Sequence, residues 1–94
     1  MHQFLIHHHG DHVGVATSDI HAGEKAVGVF MDDDATIEVV ANHDIPLGHK
    51  IAIATLPPGG DVLKYNTKIG TTPQGFKVGD YVHTHNVKTA RWLA

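Results

Sequence analysis

The chain is 94 residues long, carries a formal charge of −3 and contains ten histidines but no cysteine. A chain of that length suits one small domain, which buries only about 60–65% of its unfolded surface and has little room for a catalytic pocket of its own. Without cysteine there are no disulfides and no thiolate metal sites; the seven lysines and arginines are scattered, which argues against nucleic acid as a partner, and no apolar run nears the roughly 18 residues of a membrane span.

Met1-His2-Gln3-Phe4-Leu5-Ile6 lacks the basic start and long apolar core of a signal peptide, so the cytoplasm is the expected location. Phe4-Leu5-Ile6-His7-His8 has strand-like apolar content, Gly10-Asp11 supplies a turn, and His12-Val13-Gly14-Val15-Ala16 reads as a second strand, giving an opening hairpin. His7, His8, His9 and His12 gather around its turn. The run of histidines is short and followed by Gly10-Asp11-His12, and it reads as native sequence rather than an affinity tag.

A pattern then recurs. Ile20-His21-Ala22-Gly23 leads into a small apolar pair, and the same frame returns in Ile45-Pro46-Leu47-Gly48, Leu56-Pro57-Pro58-Gly59 and Phe76-Lys77-Val78-Gly79. The first residue anchors a loop in the core, the glycine takes a positive-φ turn position, and a strand follows. Copies are unequally spaced, so this is a set of similar turns in one β domain and no solenoid.

Between copies, Gly28-Val29-Phe30-Met31 continues a strand, Asp32-Asp33-Asp34 forms a charged hairpin tip, and Thr36-Ile37-Glu38-Val39-Val40 is β-branched and extended. The aspartates lack the ligand positions and terminal Glu of an EF-hand loop. Asn42-His43-Asp44 suits a turn or a short helical turn. Residues 50–55 alternate as a strand, 61–65 and 68–72 form further strands joined at Asn66-Thr67, and helical periodicity is not sustained anywhere. The expected fold is mainly β: a single clip- or barrel-like domain of many short strands, with at most one or two helical turns, a core of residues 4–86 and a tail of 87–94.

Near the end stands Tyr81-Val82-His83-Thr84-His85-Asn86. Alternate side chains of a strand share a face, so His83 and His85 would point the same way with Cα atoms roughly 6.5 Å apart, close enough to share one divalent metal or one anionic ligand. The tail carries the single tryptophan, Trp92, beside Arg91; it either folds onto the core or anchors a partner.

The recurring turn, Gly48-His49-Lys50, the hairpin from Lys64-Tyr65 to Ile69-Gly70 and the closing His83-Thr84-His85-Asn86 together resemble the SAF-type domain of the altronate and galactarate dehydratase family, in particular the separate small subunit of its two-subunit members. The likeness runs from Phe4 to Trp92. Asn66 stands where the family pattern usually has Gly, a position that Asn also tolerates, and Thr72-Pro73-Gln74-Gly75 is an unusual entry to the last turn. The resemblance implies a SAF-like β-clip fold and a large dehydratase-like catalytic subunit encoded separately. The implied reaction is β-elimination from a 2-hydroxy acid, either a sugar acid losing water or a sulfonated acid losing sulfite.

Removing the weakly acidic proton next to a carboxylate calls for a Lewis acid, Fe²⁺ first with Mn²⁺ or Mg²⁺ as alternatives, and for a base of near-neutral pKa. On that resemblance His83 and His85 are the candidate metal ligands or catalytic groups, with Asn86 orienting a ring or bonding the substrate carboxylate. His49 and Lys50 are second catalytic candidates, Lys50 as a partner for carboxylate or sulfonate. Lys64 and Tyr65 are a third, substrate-binding pair. Two other classes of function stay open: a free-standing module that handles metal through His7, His8, His9 and His12, and a pure interaction domain anchored by Trp92. Self-association is also left open.

Overall fold

Alternation decides the strands. In Lys25–Phe30 (β3) Ala26, Gly28 and Phe30 are buried while Lys25 is exposed, the period of two that seats one face of a strand on a core. In a computed structural model, residues 2–64, 67–72, 74–82 and 88–89 are described, and among them the chain forms nine strands and no helix.

Phe4–Ile6 (β1), Val13–Ala16 (β2), β3, Thr36–Val40 (β4), Lys50–Ala52 (β5) and Tyr81–Val82 (β8) make a six-stranded sheet in the order β4-β3-β1-β2-β5-β8. Gly60–Lys64 (β6), Thr67–Thr72 (β7) and Lys88–Thr89 (β9) make a second sheet in that order. The opening hairpin is present as the antiparallel pair of β1 and β2. The sequence gives no hint that β1 also runs parallel to β3, in register Phe4↔Gly28 and Ile6↔Phe30. That register rests on close packing: a Cβ on Gly28 would fall inside the buried ring of Phe4.

The recurring turn proves to be the organising device. Gly23, Gly48, Gly59 and Gly79 have φ of 85°, 85°, 83° and 95°, and in each turn the N–H after the glycine donates to the carbonyl three residues back, as Glu24 to His21 and His49 to Pro46 at 3.0 Å. Negative φ followed by positive φ is the type II pattern. The turns interlock in pairs. Ile20 and Ile45 exchange backbone hydrogen bonds across an isolated bridge, and Leu56 and Phe76 do the same.

Each turn glycine also donates to a small buried residue that stands four positions before the partner's anchor: Gly23 to Ala41, Gly48 to Ala16, Gly59 to Thr72 and Gly79 to Ala52. The residue before each anchor completes the exchange. Asp19 Oδ1 accepts from Leu47 N–H and Asp44 Oδ1 from Ala22 N–H, at 2.9 and 2.8 Å, and Thr55 Oγ1 takes the equivalent bond from Val78. The fourth position is Gly75, facing Pro58, which has no N–H to satisfy.

The main core packs Phe4, Ile6, Ile20, Phe30, Val39, Ile45 and Ile51, and a smaller cluster holds Val13, Ala52, Val62, Phe76 and Val82. His12 ties β6 to the larger sheet: its N–H donates to Leu63 O and its Nδ1 accepts from Leu63 N–H, at 2.9 and 3.1 Å. One segment differs from expectation. The strand expected over residues 50–55 stops at Ala52, because Ile53 N–H turns to His12 O and Thr55 is drawn to Val78 in the third interlocked turn. Of the two forms expected of Asn42-His43-Asp44, the chain takes a bend rather than a helical turn; Asn42 N–H donates to Gly79 O and Asp44 accepts from Ala22 N–H.

Candidate functional site

Of the residues singled out for chemistry, His83, His85, Asn86 and Tyr65 lie outside the described residues, and Lys64 is described only as the last residue of β6. His49 and Lys50 are described, and the fold gives them a defined place. The second turn delivers them: Gly48 ends it, His49 O accepts from Ala16 N–H at 2.8 Å, and Lys50 enters β5 paired with Val15 on one side and Val82 on the other. The backbone of this pair is thus held from both sides. His49's side chain stays exposed and Lys50's partly so. None of the ion pairs among the described residues involves Lys50.

β8 brings Tyr81 alongside. Its hydroxyl lies 2.5 Å from His49 Nδ1, and the two rings meet edge to face with centroids 5.5 Å apart and planes at 65°. Tyr81 N–H donates to His43 Nδ1 at 3.2 Å. That bond makes Nδ1 of His43 an acceptor, so its 4.0 Å approach to Asp80 Oδ1 carries no proton between them. Asp80 is occupied otherwise, accepting from Asn42 Nδ2 and Lys77 N–H at 2.9 Å each. The edge formed by β5 and β8 therefore collects two imidazoles and a phenol, while Lys50, paired with Val82, projects from the other face of the strand, and His83 is the next residue after Val82 in the chain. Such a surface offers hydrogen-bond donors to an anionic ligand.

Tyr81 and His43 were not among the residues expected to carry chemistry. For Tyr81 a signal existed: the alternation that pairs His83 with His85 includes Tyr81 one step earlier. For His43 there was none, since its contact with Tyr81 spans 38 residues.

The N-terminal histidines do not converge on one another. His12 is spent on Leu63, and His9 reaches across to the aspartate tip, where its Nε2 lies 2.8 Å from Asp33 Oδ2 and its N–H donates to Asp32 Oδ2 at 2.9 Å. The parallel pairing of β1 and β3 causes this, because it sets the ends of both strands side by side. The His9 ring also stacks on Phe30 at 3.9 Å with planes 8° apart. Asp33 is held below the ordinary carboxylate pKa chiefly by the Ala35 N–H that donates to it; desolvation opposes this, and the hydrogen bond and charge of His9 add smaller lowering effects. His9, Asp32 and Asp33 are the one His/Asp group compact enough to hold an ion among the described residues, and all three are exposed. A metal-handling module built on His7, His8, His9 and His12 has no such convergence behind it.

The family model for the altronate/galactarate dehydratase SAF domain matches residues 2–90. The chain is 41% identical to the (2R)-sulfolactate sulfo-lyase subunit alpha of Chromohalobacter salexigens over 90 residues, covering 95% of this chain and 96% of that subunit. It is 44% identical to the same-named subunit of Paracoccus pantotrophus over 64 residues, 68% of this chain and 96% of the relative. The altronate dehydratase of Bacillus subtilis is 37% identical over 91 residues, which cover 95% of this chain but only 17% of that enzyme. With nearly its whole length accounted for by the family model, the chain belongs to the SAF domains of the altronate/galactarate dehydratases.

Proposed function

We propose that the chain is the small subunit of a two-subunit lyase that removes a group from carbon 3 of a 2-hydroxy acid. One observation carries the reading: the chain is 41% identical to a (2R)-sulfolactate sulfo-lyase subunit alpha over 96% of that subunit. On that likeness a separate large subunit would supply most of the catalytic groups. The same comparison favours (2R)-sulfolactate over a sugar acid as substrate.

In that reaction the C2–H bond breaks and its electrons form the C2–C3 double bond as the C3–S bond breaks, so that sulfite departs with the sulfur electron pair. The enol left behind takes a proton at carbon 3, gives up its hydroxyl proton and becomes pyruvate. With altronate, water leaves carbon 3 and a 2-keto-3-deoxy acid results. Either substrate is anionic, and a sulfonate adds a second negative group.

Lys50, at the start of β5 and outside every ion pair among the described residues, is suited to pair with carboxylate or sulfonate. His49 stands beside it. His83 and His85 are proposed as the ligands of a divalent metal, Fe²⁺ before Mn²⁺ or Mg²⁺, or as groups facing the substrate, with Asn86 aligning one ring; Lys64 and Tyr65 are proposed further substrate contacts. Two imidazoles fit part of the coordination shell of a first-row ion and leave its other positions to the substrate or the large subunit. When bound, the metal would supply Lewis acidity at the carboxylate and hydroxyl oxygens.

The test is recovery of the chain from its native lysate with whatever binds it, identification of the partner by mass, and assay of the complex for sulfite and 2-keto acid. A large dehydratase-like partner and release of either product are expected, with loss of at least about a hundredfold in His85→Ala, the scale for removing one group that stabilises the transition state. A chain that comes out alone, or a complex inert toward both substrates, refutes the reading.

A further inference from the structure

We infer that His49 serves this subunit as a neutral hydrogen-bond donor through Nε2, with Tyr81 as the residue that sets it in that state; the inference rests on the lyase reading for its substrate and on the geometry for everything else. Tyr81 Oη and His49 Nδ1 are 2.5 Å apart. A phenol is a strong donor with a pKa near 10, and a neutral imidazole nitrogen is a strong acceptor, so the favoured direction is O–H to Nδ1. Accepting at Nδ1 leaves the single ring proton of neutral His49 on Nε2.

The two ring nitrogens point in divergent directions, so Nε2 faces away from the phenol. It has no hydrogen-bond partner among the described residues, and the side chain is exposed. Around this pair lie Lys50, next in the chain, and His43 and Asp80, which are engaged with the backbone N–H groups of Tyr81 and Lys77. No carboxylate pairs with His49 among the described residues.

The consequence is a role. A neutral Nε2–H cannot take a proton from carbon 2, because it offers no lone pair there. It can donate to an oxygen on which negative charge builds, either the carboxylate as the enediolate forms or the departing sulfonate or hydroxyl. His49 is then a receiver of anionic oxygen, and the base must be sought elsewhere in the complex. Tyr81 touches no substrate in this account. It is a positioning residue that selects which nitrogen carries the proton.

The experiment has a spectroscopic arm and a kinetic arm. Nitrogen-15 correlation spectra of the histidine rings, recorded on the full chain alone and in the complex, distinguish the two neutral tautomers. His49 is expected wholly as the Nε2–H form, and in Tyr81→Phe, which keeps the ring against the core but loses the hydroxyl, a mixture should appear. In the complex, His49→Ala should lower kcat about a hundredfold, whereas His49→Gln, which restores an N–H near the same place, should remain within about tenfold of wild type, and Tyr81→Phe should cost about tenfold in kcat with little change in KM.

An Nδ1–H tautomer in the wild type, an unchanged spectrum in Tyr81→Phe, or His49→Gln as inactive as His49→Ala would each overturn the inference. The last result would make His49 a base. A wild-type complex that turns over neither substrate overturns the lyase reading and the role of His49 with it. That failure is distinguishable from the others because the tautomer is read on the free chain.

Discussion

Gly48→Ala and Gly79→Ala make the same chemical change at equivalent turn positions, yet the structure assigns them different costs. Both glycines have positive φ, 85° and 95°, and holding an alanine there costs roughly 1–2 kcal/mol. The loss of unfolded-state freedom on replacing glycine returns about 0.4–1 kcal/mol. At Gly48 an added Cβ meets nothing within 4 Å, so the net cost is about 1 kcal/mol and Tm falls by roughly 4–8 °C for a domain of this size.

At Gly79 the added Cβ would lie inside contact distance of the Val40 carbonyl oxygen and 3.3 Å from Asn42 Nδ2. Backbone cannot swing aside as a flexible side chain can, and overpacking of this kind adds roughly 1–3 kcal/mol. The total, about 2–4 kcal/mol, corresponds to a fall of roughly 10–30 °C and takes a large share of the stability of a small domain. Thermal and urea unfolding of both variants beside the wild type measure the difference. Equal losses in the two variants would show that turn conformation alone is being sampled and that the close approach of Gly79 to Val40 is not a feature of the folded protein.

Two further outcomes are expected. Thr72 occupies the place that alanine holds in the other three interlocked turns, is fully buried, and its Oγ1 has no hydrogen-bond partner among the described residues. Thr72→Val keeps the shape and removes the stranded hydroxyl, so it should stabilise the fold by about 1 kcal/mol and raise Tm by roughly 4–8 °C; a fall in Tm would show that the hydroxyl is bonded in solution. Asp33 is more acidic in the folded chain than an ordinary carboxylate because the Ala35 N–H and His9 favour its charged form. Its contribution is therefore present above the ordinary carboxylate range and disappears as the pH falls through its lowered native pKa. Carboxyl NMR titration should show Asp33 below the ordinary range and His9→Ala moving it upward, though by less than the Ala35 bond would, and an unmoved titration would refute the His9 contact.

What the sequence disclosed and what it concealed divide along a physical line. Local chemistry was legible: an apolar anchor, a glycine three residues on and a following small apolar pair announce a turn into a strand, and all four such glycines carry positive φ. The strand Thr36–Val40 was readable from its β-branched residues alone. Pairing across the chain was not. No local pattern says that Ile20 meets Ile45, that β1 lies parallel to β3, or that Asp19 and Asp44 exist to satisfy Leu47 and Ala22. The site divides in the same way. His49-Lys50 could be picked out as a dipeptide, but its neighbour Tyr81 lies 32 residues away and is placed by the pairing of β5 with β8. His9 and the aspartates were each noticed and assigned to separate hairpin tips, although the parallel pair brings those tips together.

The paired turns also bear on how the protein is made. The first pair is complete once His49 has been added, since Ile20, Gly23, Ala41, Ile45 and Gly48 all precede it. The second pair draws only on residues from Ala52 to Asp80. Neither closure waits on a segment belonging to the other, so a growing chain leaving the ribosome N-terminus first can fasten its first clasp before the residues of the second have been joined. The pairing of His49 with Tyr81 is different: it needs β8, and β8 emerges last among the strands of its sheet. The candidate site is therefore completed only after the residues of both clasps have been joined.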